Sequence, residues 1–337
     1  MAFTSINGVK IRGIAAAVPA TIRSNEDIGG DADRDYVEKL SGQVGVRERR
    51  VVVPGQQGSD LAVAAVQSVL TSLDWDPRSI DLLLVATQTP DRLFPGIAFT
   101  LHRLFGMPHT TPVFDINLGC SAFTHGLWTV STLLPGIGKR ALLVNVDTMS
   151  RTLDATDWGG HVLFGDAATA TALEVDHSAT PINVVLMSDG RGTESVCFMD
   201  SAMSASIDRK PKFLLNGPAV LGLALRSVPR LITELLDHAS LTLDQFGLFV
   251  PHQANVFILD KLSERLHLQP SRVVVSMDRY GNTSSASIPL ALCAKRDQVA
   301  TANRTNTMMV GFGTGFSLSV VHVDLSETMF IDPVDVE

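Results

Sequence analysis

The segment DLAVAAVQSVLTSLDWDPRSIDLLLVATQTP (residues 60–90) holds the pattern that decides the architecture. Over residues 60–73 the apolar positions recur with helical spacing, which predicts an amphipathic helix. A short loop follows. The unbroken apolar run 82–87 then predicts a strand buried on both faces, ending in the polar cluster TQTP. The same order returns later in the chain. A helical stretch over residues 220–238 leads through LTLDQFG to an apolar strand at 248–251, which ends in HQAN. Further apolar runs at 140–147 and 307–315 predict more buried strands. Helices alternating with buried strands argue for a parallel-rich α/β architecture, present twice. The expected halves are residues 1–175 and 176–337. Residues 181–212, with their Gly and Ser content, read as irregular surface or an active-site cover.

Composition bounds the function. The chain has 337 residues, 45% hydrophobic and 18% charged, a balance that fits an ordered globular protein with room for a large core. No apolar run of membrane-spanning length is free of breakers, and the N-terminus lacks a basic-then-apolar leader, so a soluble cytoplasmic protein is expected. The net charge is −8 and no Lys/Arg block is concentrated enough to grip phosphates, which argues against a nucleic-acid partner. The three cysteines, Cys120, Cys197 and Cys293, are too few and too scattered for a disulfide framework or a metal cage. They fit a reducing compartment, where a lone thiol stays nucleophilic. No metal or resident cofactor is expected.

Three residues stand where chemistry is possible. Cys120, in VFDINLGCSAFTHGL, falls between a strand-like run (112–116) and a helix-compatible run (121–134). A sulfur there lies near a helix N-terminus, whose dipole and free N–H groups favour thiolate. The competing reading is a buried structural cysteine. His252, in FVPHQAN, follows a buried strand end, where α/β proteins place site residues; taken alone it is as readily an ordinary histidine. Asn282, in RYGNTSSASIPLAL, taken alone is a turn residue before a capped helix. The glycines of GFGTGF (311–316) suit a close backbone approach and an amide-lined anion hole. They match neither a dinucleotide nor a P-loop signature.

Together these segments resemble the β-ketoacyl-[acyl-carrier-protein] synthase III family of the thiolase superfamily. The likeness runs nearly end to end, through GVRERR (45–50), DLLLVATQTPDRLFPG (81–96), FDINLGCSAF (114–123), LFGDAATA (163–170), VPHQAN (250–255), YGNTSSAS (280–287) and GFGTGF. The resemblance implies a five-layered αβαβα thiolase-like fold of two pseudo-repeated halves, and a homodimer. Position by position, it implies Cys120 as nucleophile, with His252 and Asn282 completing a triad. The amides of Cys120 and Thr314 take the oxyanion-hole places, and Phe312 lies beside the reacting sulfur. Phe94 takes the place of a residue that crosses the dimer interface, while Leu221 belongs to the acyl pocket. Asn255, Gly217 and Trp158 occupy positions that contact the substrate's carrier arm. The substrates implied are thioesters of CoA or of the phosphopantetheine of an acyl carrier protein.

The implied reaction suits these residue types. A thiolate takes an acyl group from a thioester, and a malonyl thioester then loses CO2. His252 and the Asn282 amide donate to the enolate oxygen so formed, and the carbanion attacks acyl-Cys120 to give a 3-oxoacyl product. Departures concern the carrier. Lys39 and Gln43 stand where typical members hold the CoA adenine and phosphate with Trp and Arg. Trp158 replaces an adenine-stacking Arg, and Pro218 follows Gly217 in place of Asn. Phe257 and Glu264-Arg265 stand at usually basic positions, with Lys261, Arg265, Lys210 and Lys212 as candidate compensating charges. These changes point to a specialised homologue in a secondary-metabolite or surface-polysaccharide pathway. They also leave two competing readings: a non-condensing acyltransferase acting on an amine or hydroxyl, and an inactive scaffold subunit.

Overall fold

The computed structural model describes residues 2–28, 34–201 and 212–337. The chain begins with β1 (Ala2–Ile6) and β2 (Val9–Pro19), then pairs the short β3 (Ile22–Ser24) with β4 (Glu48–Arg50) across α1 (Arg34–Val44). Next come α2 (Gly58–Leu73), β5 (Leu82–Ala86), α3 (Ile97–Leu104), β6 (Val113–Ile116), α4 (Ala122–Ile137), β7 (Arg140–Thr148), α5 (Trp158–Leu163) and β8 (Asp166–Val175). There follow β9 (Ile182–Ser188), β10 (Val196–Met199), β11 (Lys212–Leu215), α6 (Gly217–Ala239), β12 (Leu248–Pro251), α7 (Val256–Leu266) and α8 (Met277–Tyr280). The chain closes with α9 (Ser287–Ala294), α10 (Arg296–Thr301), β13 (Thr307–Gly313), β14 (Ser317–Val323), β15 (Met329–Phe330) and β16 (Val334–Val336).

Local signals set the helix ends. At the start of α2 the Gln57 backbone N–H donates to the Asp60 carboxylate (2.7 Å), and Asp74 ends the helix in the left-handed region. The side chain of Asn216 caps α6 by accepting from the Ala219 N–H (3.1 Å), and Pro218 sits harmlessly in the first turn.

Two large sheets carry the fold. One runs β15–β2–β8–β7–β5–β6, with β16 also on β2; the other runs β1–β9–β14–β13–β12. Three apolar cores order the layers. Between the sheets, Phe123, Leu127 and Leu134 of α4 and Ile288 and Leu292 of α9 pack on residues of both. On the far face of the first sheet lie α2 and α3, through Leu61, Val69, Ile97 and Leu101. On the far face of the second lie α6 and α7, through Leu231, Leu235, Ile258 and Leu262. The result is the five-layered αβαβα sandwich. A fully buried position such as Leu127 contributes on the order of 2–5 kcal/mol relative to alanine.

Two expectations are corrected. The sheets are mixed rather than parallel-rich: β5–β6, β5–β7 and β12–β13 are parallel, while β7–β8, β2–β8, β13–β14 and β9–β14 are antiparallel. Apolar runs report burial on both faces, and burial does not distinguish strand direction. Residues 181–212 are also not simply irregular, because Ile182–Ser188 forms β9 inside the second sheet, bonded to β1 and β14. Of the same stretch, Val196–Met199 pairs with Lys212–Leu215, while Lys210 lies outside the described residues. The terminal strands cross between sheets: β1 joins the sheet built from later strands, and β15 and β16 join the one built from earlier strands.

Candidate active site

The turn from β6 to α4 presents Cys120 two residues before the helix begins. The end of β13 approaches it from the other sheet, and a Cβ added at Gly313 would come within 2.7 Å of the Cys120 Cβ. Only glycine lets the 313–316 loop, with Thr314, lie this close to Cys120. Cys120 is half-buried and lines a cavity of about 80 Å3 together with His252, Asn282, Phe312, Thr314 and Asn255. Residues read from four distant segments therefore meet in one chamber.

Each side chain is held with one end occupied and the other left for the chamber. His252 follows β12, its backbone N–H donating to the Val310 carbonyl (2.8 Å). Its Nδ1 pairs with the Ser287 hydroxyl at 2.7 Å, and its ring stands edge-on to Phe312 with centroids 5.3 Å apart. Gln253, next in the HQAN run, bolts the turn from behind: it donates to the carbonyls of Pro251 (2.8 Å) and Val274 (3.1 Å) and accepts from the Ser276 N–H (3.0 Å). The Asn282 side-chain oxygen accepts from the Ser284 N–H (2.9 Å) and its NH2 donates to the Ala254 carbonyl (3.5 Å), which leaves its second N–H for the chamber. The Asn282 loop is tied by its backbone to Leu163 (2.8 Å) and Gly165 (3.2 Å). Gly281, with φ +64°, is required in that loop because a Cβ would overlap the Leu163 carbonyl.

The chamber is electrostatically quiet. Burial pushes the Cys120 thiol up to about 12, and the neighbouring Asp147 carboxyl adds to the rise. Cys120 therefore rests as a thiol, whereas a helix N-terminus alone favours thiolate. Burial also takes His252 down to about 3, so its imidazole is neutral. Asp147 is itself raised by burial, although it accepts from the N–H groups of Gln88 (2.8 Å) and Ser285 (3.1 Å).

Other expected site residues are placed less centrally. Gly217 and Val220 line the chamber at the start of α6, and Val220 and Leu221 both pack against the core beneath that helix. Asn255 caps α7 by accepting from the Ile258 N–H (2.7 Å), and it also borders an outer vestibule of about 740 Å3. Leu40 and Val44 of α1 line that vestibule, whereas Lys39 and Gln43 are exposed on the same helix. Trp158 opens α5 beside His161, and its neighbours Gly159 and Gly160 line the vestibule instead. Phe94 is 83% exposed, next to Leu93 at 65%. Phe257 is exposed on α7, and Lys261 is already paired with Glu264 at 2.7 Å. Sequence reasoning missed Gln88, Ser284 and Ser287. Ser284 lies 4.0 Å from the Cys120 sulfur. For Gln88 the signal was present: it is a polar residue two positions after the end of a buried parallel strand.

The fold is that of a thiolase-type acyl-transfer enzyme. The family model described as 3-oxoacyl-[acyl-carrier-protein] synthase III matches residues 114–190, and the model of its C-terminal part matches 236–325. The β-ketoacyl-[acyl-carrier-protein] synthase III of Bradyrhizobium diazoefficiens is 35% identical over 322 residues, covering 93% of this chain and 97% of that protein. Synthase III 2 of Bacillus anthracis is 32% identical, covering 91% and 95%. Among solved structures, a 3-oxoacyl-(acyl-carrier protein) synthase from Burkholderia xenovorans superposes with a TM-score of 0.92 at 30% identity, covering 99% of each chain. The priming β-ketosynthase of the R1128 polyketide pathway gives 0.83 at 27% identity, covering 96% and 98%. The chain belongs to the 3-oxoacyl-[acyl-carrier-protein] synthase III family.

Proposed function

We propose that this chain takes an acyl group from a thioester onto Cys120 and condenses it with a malonyl thioester, releasing CO2 and a 3-oxoacyl thioester. The observation that carries this reading is the convergence of Cys120, His252, Asn282 and Thr314 on one chamber. In the first half-reaction the Cys120 sulfur bonds to the acyl carbon, the donor C–S bond breaks, and the thiol proton ends on the departing sulfur. In the second, C–C cleavage of the malonyl group leaves its electron pair as an enolate. The His252 ring and the Asn282 NH2 donate to the enolate oxygen. A neutral imidazole suits this role, because it donates a hydrogen bond yet gives up its proton reluctantly and so does not quench the carbanion. The enolate carbon then attacks acyl-Cys120, with the amides of Cys120 and Thr314 holding the tetrahedral oxygen; its collapse breaks the acyl C–S bond, and the released Cys120 sulfur takes a proton from water to return to the thiol.

The working unit is proposed to be a cytoplasmic homodimer. Leu93, Phe94, Phe99 and Leu104 form an exposed apolar surface beside the edge strand β6, the kind of face a second copy covers. Thioesters carried on CoA or an acyl carrier protein are the proposed substrates. Exposed Phe257 and the Lys261–Glu264 pair leave Arg265 as the one free cation on α7 among the described residues, which supports a specialised role outside primary fatty-acid synthesis.

The test is primer-dependent CO2 release from malonyl thioesters, offered on CoA and on carrier protein with a panel of acyl donors. Release that requires both a donor and Asn282 is expected. Acylated Cys120 with no CO2 release would overturn condensation in favour of transfer to another nucleophile.

A further inference from the structure

We infer that Gln88 is a specificity determinant, selecting short acyl donors that carry a hydrogen-bonding oxygen near their third carbon. The inference rests on the acyl-transfer reading and adds to it the identity of the acyl group. Leu163, Phe213, Leu215 and Asn255 line both the 740 Å3 vestibule and the Cys120 chamber, so they mark the end at which a thioester enters. Gln88 lines the chamber but not the vestibule. A donor with its carrier arm at the entrance and its carbonyl at Cys120 therefore sends its acyl group toward Gln88.

Gln88 is exposed in this chain, and its carboxamide reaches the chamber beside Thr314 and Gly119. The Gln88 backbone N–H donates to Asp147 at 2.8 Å, and its Nε2 donates to the Thr314 hydroxyl at 3.3 Å. Its side-chain oxygen lies against Gly119, where an added Cβ would overlap it. That oxygen is an acceptor with capacity for a substrate hydroxyl. The strap after Gln88 carries Leu93 and Phe94 to the proposed dimer face, so a second subunit would shield this end from water. A plain alkyl chain there covers the amide without replacing its hydrogen bonds to water, whereas a hydroxyl at the third carbon replaces one. The chamber of about 80 Å3 holds about three water-sized groups, which limits the chain to a few carbons.

The experiment measures single-turnover acylation of Cys120 by mass spectrometry with 3-hydroxybutyryl-, butyryl- and hexanoyl-CoA. It compares the wild type with Gln88→Met, close in shape but apolar, and Gln88→Glu, which keeps the acceptor oxygen. The readout is the ratio of donors within each protein, so a general loss of rate cancels. Wild type and Gln88→Glu are expected to prefer 3-hydroxybutyryl over butyryl by about 10–100-fold, and Gln88→Met to bring the ratio to within about threefold. Hexanoyl is expected to be the poorest donor for the wild type. An even ratio in the wild type, or a preference that survives in Gln88→Met, overturns the inference while leaving acyl transfer intact. Acylation by none of the three, nor by any donor of a wider panel, refutes the acyl-transfer reading and this inference with it.

Discussion

Titrating Cys120 with an alkylating agent tests whether burial or the helix N-terminus governs the nucleophile. The rise from an ordinary 9.0 to about 12 amounts to ~4 kcal/mol against the thiolate. A helix N-terminus returns roughly 0.3–1 kcal/mol, and up to about 2 where partly buried. Burial therefore wins. At pH 8 about one molecule in ten thousand is thiolate, roughly a thousandfold fewer than for an unperturbed thiol. Greater basicity makes each thiolate about 20-fold more reactive, which leaves a net deficit of about 50-fold. The assay is iodoacetamide alkylation of substrate-free enzyme from pH 6 to 10, resolved by peptide mapping and compared with a small cysteine peptide. Because the folded value is raised, the neutral thiol persists through this range, and the rate should climb about tenfold per pH unit without levelling. A plateau below pH 9 would show a thiolate already formed and would refute the dominance of burial.

Three further outcomes follow from the geometry. Asn282→Ala removes an enolate donor, so malonyl decarboxylation should fall by about 10²–10³ while Cys120 acylation is largely spared; equal loss of both half-reactions would remove Asn282 from the enolate. Ser287→Ala leaves the buried Nδ1 of His252 without its 2.7 Å partner, and decarboxylation is expected to slow by roughly tenfold, read as kcat at saturating malonyl thioester. Phe257→Arg places a free cation on α7 and should lower the KM for an acyl carrier protein substrate while leaving the KM for CoA thioesters unchanged; equal movement of both would argue against docking there.

Much of the fold was legible because each element carried its own signal. The apolar run at 248–251 matches β12, and the periodic stretches at 60–73 and 220–238 lie within α2 and α6. Strand direction was not legible, since a buried valine looks the same in a parallel and an antiparallel ladder. Nor was β9 legible: its short apolar run precedes a Gly-rich loop, and only its two neighbours in the sheet make it a strand. At the site, Cys120, His252 and Asn282 stood out because each sits at the end of a strand or loop with an unusual local pattern.

By itself, the sequence determined the strongly periodic helices and several of the buried apolar strands, that the chain has a buried core, and which thiol lies at a strand-to-helix junction. Those properties depend on neighbours within a few residues. Tertiary structure alone decided the charge state of Cys120, the Ser287 partner of His252 and the placing of Gln88 beside Thr314. Each depends on atoms 27 to 226 residues apart along the chain. Desolvation and hydrogen-bond partnership are properties of the packed interior, and no local pattern encodes them.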